Sequence, residues 1–288
     1  MKNKHKKETT HGIIGVFNRM KRSRLAMVGL AILVILVLVA IFADFIAPYS
    51  YNEVDLENQF AGPSKEHLFG QDEFGRDILS RIIYGSRISL KVGFISVGIA
   101  LVIGCTIGAV TGYYGGKVDT FLMRFIDVLQ ALPDTLLAIA IVAALGTGLA
   151  NLMIAVGIAA IPSYAKIVRS AVLSIADMEY VEAARAGGSS NFRIIFKHIL
   201  PNCLAPIIVQ ATLGVAYAIL NAAGLSFIGL GLEPPTPEWG AMLSGGRAYI
   251  RSYPHLTLFP GLAIVITIFA LNVLGDGLRD ALDPKLKR

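Results

Sequence analysis

Residues 25–43, every position between Lys91 and Lys117, and residues 135–165 carry no charged side chain. A helix needs about 20 apolar residues to cross the hydrocarbon core of a bilayer, and runs of this length are more than a soluble domain could bury. Composition agrees. Hydrophobic residues make up 55 % of the chain and charged residues 16 %, against about 25 % charged in ordinary soluble domains, and mean hydropathy is +0.63. An all-α integral membrane protein is the expected class.

The uncharged runs place a first span at 25–46 and a second between Lys91 and Lys117. The run at 135–165 is too long for one crossing. The Gly146-Thr147-Gly148 turn divides it, giving a third span at 120–145 and a fourth at 149–168. A fifth occupies 204–227 and a sixth 256–274. Six transmembrane helices put both termini on one side, and basic residues choose the side. The N-terminal tail (Lys2, Lys4, Lys6, Lys7, Arg19, Lys21, Arg22, Arg24), Lys117, a loop holding Arg169, Arg185, Arg193 and Lys197, and the C-terminal Lys285, Lys287 and Arg288 share one face. That face is expected to be cytoplasmic, with both termini on it. The segment from Pro48 to Arg87 falls opposite and is acid-rich (Asp55, Glu57, Glu66, Asp72, Glu73, Asp77). The expected organisation is a basic cytoplasmic tail at 1–24, an anchor helix at 25–46 and an extracytoplasmic loop at 47–86. A five-helix core follows at 87–278, carrying a cytoplasmic loop at 173–203, with a tail at 279–288. The first uncharged run is longer than a signal h-region and no small-x-small cleavage site follows closely, so an uncleaved anchor is expected.

Several function classes find no support. The basic residues flank apolar runs and are not interleaved with a stacking surface for nucleic acid. Cys105 and Cys203 sit in or beside apolar runs and read as small hydrophobes. The five histidines lack metal-ligand spacing, and no metal site is expected. Leu243-Ser244-Gly245-Gly246-Arg247 is similar to the signature loop of an ABC ATPase. The phosphate-cradling spacing G-x-x-x-x-G-K-[ST] occurs nowhere, however. A secondary transporter should show buried carboxylates at mid-membrane, and the spans are almost free of charge. No catalytic set for a hydrolase is present.

The segment from Asp177 to Asn202 reads as two short helices around a glycine-serine break. Asp177 is placed to cap the first helix, with Glu179 and Glu182 near its positive end. Ala183, Ala184 and Ala186 keep the surface low, so another backbone can approach closely. Gly187 and Gly188 end the helix. In the second helix Phe192, Ile195, Phe196 and Ile199 recur at helical spacing, with Arg193 and Lys197 on the wet face. Pro201 marks re-entry into the membrane.

Glu182-Ala183-Ala184, Gly188 and Leu200-Pro201 resemble the EAA loop of bacterial ABC importer permeases. His198 stands where the broad consensus has isoleucine, and the peptide-permease branch shares that feature. Other blocks extend the likeness over nearly the whole chain. They are His67-Leu68-Phe69-Gly70-Gln71-Asp72-Glu73-Phe74-Gly75-Arg76-Asp77, Leu225-Ser226-Phe227-Ile228-Gly229-Leu230-Gly231, Pro237-Glu238-Trp239-Gly240, and the stretch from Gly275 to Pro284. All resemble dipeptide/oligopeptide permeases, a branch that also includes importers of nickel, metallophores and glutathione. The resemblance implies a type I (MetI-like) permease core and a coupling element at Glu179, Glu182, Ala183, Ala184, Gly188, Leu200 and Pro201. It implies a homologous permease, two ATP-binding subunits and an extracytoplasmic substrate-binding protein as partners. ATP and Mg would be bound by those partners, with no cofactor in this chain and no enzymatic role of its own.

Smaller signals give local expectations. Gly104, Gly108 and Gly112 recur every four residues, a spacing that lets helices approach closely in lipid. Arg124 and Asp127 could pair on one helix face. Gly75 breaks the chain before Asp77, and Ile78, Leu79, Ile82 and Ile83 read as the apolar face of a short interfacial helix. With the loop from Pro234-Pro235 to Trp239, this segment is expected to offer Asp72, Arg76, Asp77 and Trp239 to the binding protein. Asn151, Gln210 and Asn221 are candidates for lining a pore.

Overall fold

The computed structural model describes residues 13–282, and the side chains of 15–282. The tail lysines at 2, 4, 6 and 7, and Pro284, Lys285, Lys287 and Arg288, lie outside the described residues. Twelve helices follow in order: α1 (Ile13–Met20), α2 (Arg24–Ile41), α3 (Ala43–Ile46), α4 (Ile78–Tyr114), α5 (Gly116–Gln130) and α6 (Asp134–Leu145), then α7 (Leu149–Leu173), α8 (Glu179–Ala186), α9 (Asn191–Arg193), α10 (Leu204–Phe227), α11 (Trp239–Gly246) and α12 (His255–Leu282). Among the described residues there is no strand, only an isolated bridge between Gln71 and Asp77. Five helical stretches are long and apolar enough to cross a membrane, and the bent pair α5–α6 makes a sixth.

Two spans differ from expectation. The third is not one helix. It breaks after Gln130 and resumes at Asp134, the two halves meeting at 86°. Pro133 has no N–H to donate and pushes Leu132 away from helical backbone, which favours the break at this point. The second span begins earlier than expected. The segment from Ile78 is not a separate interfacial helix but the first turns of α4, with Ile78 and Ile83 buried. At 1.5 Å per residue its 37 residues extend about 55 Å, nearly twice the ~30 Å hydrocarbon core. Asp77 starts it, its carboxylate accepting the Ser80 N–H at 2.7 Å. The glycine turn between α6 and α7 and the span at 204–227 fall where the sequence placed them.

The core is a close crossing of α4 on α7. A Cβ at Gly104 would lie 2.6 Å from the Tyr164 Cβ, at Gly108 2.4 Å from the Ala165 carbonyl oxygen, and at Gly112 2.8 Å from the Val172 Cβ. The four-residue glycine stripe is therefore an internal seam, as its spacing suggests. Helix α10 packs on α4, α7 and α12, while α2 lies along α12, where Gly29 lets it reach the Ala270 carbonyl. The expected Arg124–Asp127 pair does not form the contact. Asp127 instead meets Lys166 of α7 at 2.8 Å, and Asp119 takes both Arg169 nitrogens at 2.6 Å. Two ion pairs thus tie α5 to α7.

One end of the bundle is closed by a cap built from the α3–α4 and α10–α12 connections. Asp72 accepts the Arg76 N–H and, at 2.7 Å, the Arg76 Nε. Arg81 Nε lies 3.4 Å from the same carboxylate, and Glu73 is 3.6 Å from Arg76. Arg81 also donates to the carbonyls of Tyr51 and Pro235. The indole N–H of Trp239 donates to the Ile82 carbonyl at 3.1 Å. Glu238 caps α11 by accepting from Gly240 and Ala241, and burial pushes its pKa up. Asp72, Arg76, Asp77 and Trp239 are all at most 6 % exposed. This corrects the expectation that they form an outer contact surface. Asp72 and the partly exposed Glu73 balance Arg76 and Arg81 in charge, Asp77 meets His67 and Trp239 bonds backbone, so these residues hold the cap together from inside.

Gly108→Val should lower the melting temperature of the detergent-solubilised protein markedly, since overpacking costs about 1–3 kcal/mol or more. Gly98→Ala, with open space around its Cβ, should shift it little. Asp72→Ala should cost about 3–5 kcal/mol by leaving buried Arg81 without its carboxylate and Arg76 with Glu73 alone. The exposed Glu53→Ala should leave the transition almost unmoved in the same denaturation assay.

Candidate functional site

At the end of the bundle opposite the cap, the chain from Ser174 to Cys203 crosses over the ends of α4, α7 and α10. Helix α8 begins without the expected side-chain cap. Met178 occupies the N-cap position and no side chain bonds there, so Asp177 lies outside the helix. Glu179 and Glu182 remain in the first turn, where the helix dipole favours negative charge. Val181 is fully buried and is the only buried residue of α8. It enters an apolar cluster with Ala109 of α4, Val168 and Val172 of α7, Ile194, Ile195 and Ile199 of the loop, and Ile207 of α10. Through this cluster, and chiefly through the Ile194–Ile199 segment, the valine seats the helix over three spans.

The helix ends as the glycines require. Gly188 has φ +75°, a backbone conformation open to glycine and strained for other residues. Its N–H bonds the Arg185 carbonyl, and the Ser189 N–H bonds the Ala184 carbonyl. Ser190 then caps α9 through the Arg193 N–H. Beyond α9 the backbone widens into a π-helix over Ile194–Ile199 and tightens to a 3-10 turn over Leu200–Cys203. That wider winding changes which side chains face inward. Ile195 and Ile199 are buried as expected, and so is Ile194. Phe192 and Phe196 are not; they lie exposed, with ring centroids 4.4 Å apart. Simple helical spacing put all four of Phe192, Ile195, Phe196 and Ile199 on one face and could not foresee the register change.

The residues singled out in the loop divide by exposure. Glu179, Glu182, Ala183, Gly188 and Pro201 are open to solvent, while Ala184 and Leu200 are partly buried against the apolar cluster. One residue of importance to this loop was missed. Tyr113, at the end of α4, donates to Asn191 at 2.9 Å and takes the Arg185 guanidinium over its ring at 5.5 Å. This pins both halves of the loop to α4. Nothing in local sequence spacing links position 113 to 185 and 191. The result is a small, low-relief acidic helix, presented beside two exposed phenylalanines and fixed from beneath.

A second feature lies among the spans. A cavity of about 450 Å³ opens between α4, α6, α7, α10 and α12. Gln210 and Asn221 line it, as the sequence suggested. Asn151 does not; its amide caps the α6 end by donating to the carbonyls of Leu145 and Gly146. Asp134 lines the cavity and was overlooked, although an acid directly after Pro133 inside an apolar run was a readable signal.

Residues 77–288 match the family described as binding-protein-dependent transport system inner membrane component. Residues 15–63 match the N-terminal TM domain of oligopeptide transport permease C. The chain is 52 % identical over 271 residues to the dipeptide transport system permease protein DppC of Alkalihalophilus pseudofirmus, covering 94 % of this chain and 89 % of that one. It is 48 % identical over 272 residues to the glutathione transport system permease protein GsiD of Escherichia coli O157:H7, covering 94 % and 90 %. Its fold is similar to that of the MetNI methionine ABC transporter in an inward-facing conformation, with a TM-score of 0.58 at 22 % identity over 70 % of this chain and 97 % of that one. The chain belongs to the family of binding-protein-dependent transport system inner membrane components: it is a multi-pass membrane subunit with the ABC importer permease fold, and not an enzyme.

Proposed function

We propose that this chain is one of two homologous permeases in an ATP-driven importer of dipeptides or oligopeptides. The observation that carries the reading is α8, whose open face holds Glu182 and Ala183 while Val181 anchors it on α4, α7 and α10. The 52 % identity to a protein named as a dipeptide permease supports the cargo. In this reading the α8 end is cytoplasmic, with the tails at 1–24 and 279–288 beside it, and the α3–α4 cap at 47–86 is extracytoplasmic. The residues Glu179, Glu182, Ala183, Ala184, Gly188, Leu200 and Pro201 form the coupling element. Two ATP-binding subunits hold ATP and Mg and take α8 into a cleft. An extracytoplasmic binding protein delivers the peptide to the cap.

The coupling follows from packing. A displacement of α8 carries Val181, and Val181 carries the ends of α7 and α10 through the cluster it fills. The glycine seam makes α4 and α7 move together, and the ion pairs to α5 extend that body. Closure of the ATPase pair would then tilt whole helices, exposing the path alternately to each side. Glutathione as cargo is the second reading, favoured by the 48 % identity to permeases named for it.

The test is uptake of labelled dipeptide into proteoliposomes holding this chain with its permease, ATPase and binding-protein partners. ATP-dependent uptake is expected. Uptake driven by an ion gradient without ATP or ATPase subunits would overturn the reading. Glu182→Lys, which reverses charge on the open face, and Gly188→Leu, which forces a side chain to φ +75°, should each cut uptake by at least about tenfold. Each loses an interaction worth about 1.4 kcal/mol or more. Membrane insertion should persist. Excess unlabelled glutathione competing better than unlabelled dipeptide would favour the second cargo.

A further inference from the structure

Asp134 is the one charged residue lining the cavity between the spans. It opens α6, the shorter arm of the broken third span. At 1.5 Å per residue, the 12 residues of α6 place Asp134 about 18 Å from the helix's far end, near the middle of a ~30 Å core. Among the described residues no Lys, Arg or His lies within ion-pair distance of it; its polar neighbour is the Tyr217 hydroxyl at 3.5 Å. Tyr217, Ser163 and Asn272 all sit near the middle of their helices and line the same cavity. Gln210 and Asn221 flank Tyr217 on α10, two turns and one turn away respectively, in opposite directions. The rest of the lining is mainly small apolar residues, including Ala159, Ala160 and Gly214.

A carboxylate at this depth without a cation is costly, and such groups mark substrate or ion pathways. An apolar pocket with a few converging polar groups fits a small ligand whose one strong polar feature matches them. We propose that the Asp134 carboxylate receives the α-ammonium group of a peptide in transit. Tyr217 and the amides of Gln210, Asn221 and Asn272 serve the peptide's carbonyl and N–H groups. The amides can both donate and accept, so they satisfy peptide backbone without reading side chains. A free α-ammonium is shared by dipeptides, longer peptides and glutathione, so the site would accept each of these cargoes. This inference rests on the importer reading above and adds a waypoint within its path.

The test compares peptide moved per ATP hydrolysed in the reconstituted complex. Asp134→Asn should lower that ratio by about tenfold, the loss of one charge-assisted contact. Asp134→Glu should bring it back to within about threefold of wild type. Asn151→Ala, outside the cavity, should keep the wild-type ratio. An unchanged ratio in Asp134→Asn, including the case where hydrolysis and uptake fall in parallel, overturns the inference while leaving the importer reading intact. Absence of ATP-driven uptake in the wild type overturns the importer reading instead. Should Asp134→Asn not assemble, labelling of the wild-type carboxylate by dicyclohexylcarbodiimide decides. With dipeptide-loaded binding protein and a non-hydrolysable ATP analogue, labelling at Asp134 read by mass spectrometry should slow several-fold, and an unprotected Asp134 overturns the inference.

Discussion

The rest of this structure depends on how closely α4 and α7 approach. In lipid no hydrophobic drive pulls one helix onto another, so association relies on close van der Waals contact and on polar contacts between helices. Gly104, Gly108 and Gly112 supply the first, since any Cβ there would collide with the backbone or Cβ of α7. The Asp119–Arg169 and Asp127–Lys166 pairs extend the contact to α5. Helix α10 then closes on both, and the groove left between it, α6 and α12 becomes the cavity. A wider α4–α7 spacing would also separate Val168 and Val172 from Ala109, and so dissolve the bed on which α8 rests.

The two ends of the bundle solve different problems with the same materials. At the cap, charge is taken inside: Asp72, with help from the partly exposed Glu73, balances Arg76 and Arg81 where solvent hardly reaches. Removing one member would strand the others, which makes the cap rigid. At the α8 end charge is left outside, with Glu179 and Glu182 open and a single valine buried. That end is held from beneath by Val181 and Tyr113 and leaves its outer face open to solvent.

Much of this was legible in the sequence because lipid imposes strict rules. Uncharged runs gave the spans, the glycine stripe gave a packing seam, and positive-φ glycines gave the turn at 146–148 and the break at 188. The failures have specific causes. The bend at Pro133 hid inside an apolar run where hydropathy alone sees continuity. The π-helical turn at Ile194–Ile199 rotated Phe192 and Phe196 outward against a 3.6-residue reading. Asp72, Arg76, Asp77 and Trp239 were read as surface because charge usually is. Their burial rests on partners such as Arg81, Ile82 and Pro235, far apart in sequence in several cases. Local spacing carries no record of such long-range pairings.

Helix α4 runs without a break, and without a proline, from the buried ion cluster of the cap to Tyr113 beneath α8. A continuous helix about 55 Å long behaves as a lever. Rocking it by about 10° around its midpoint swings each tip by about 5 Å in opposite directions, roughly one helical turn. Both tips are clamped, one by Asp77 and its neighbours and the other by Asn191 and Arg185. A displacement at one end of the bundle therefore reaches the other end as geometry, with no chain of switching side chains to relay it.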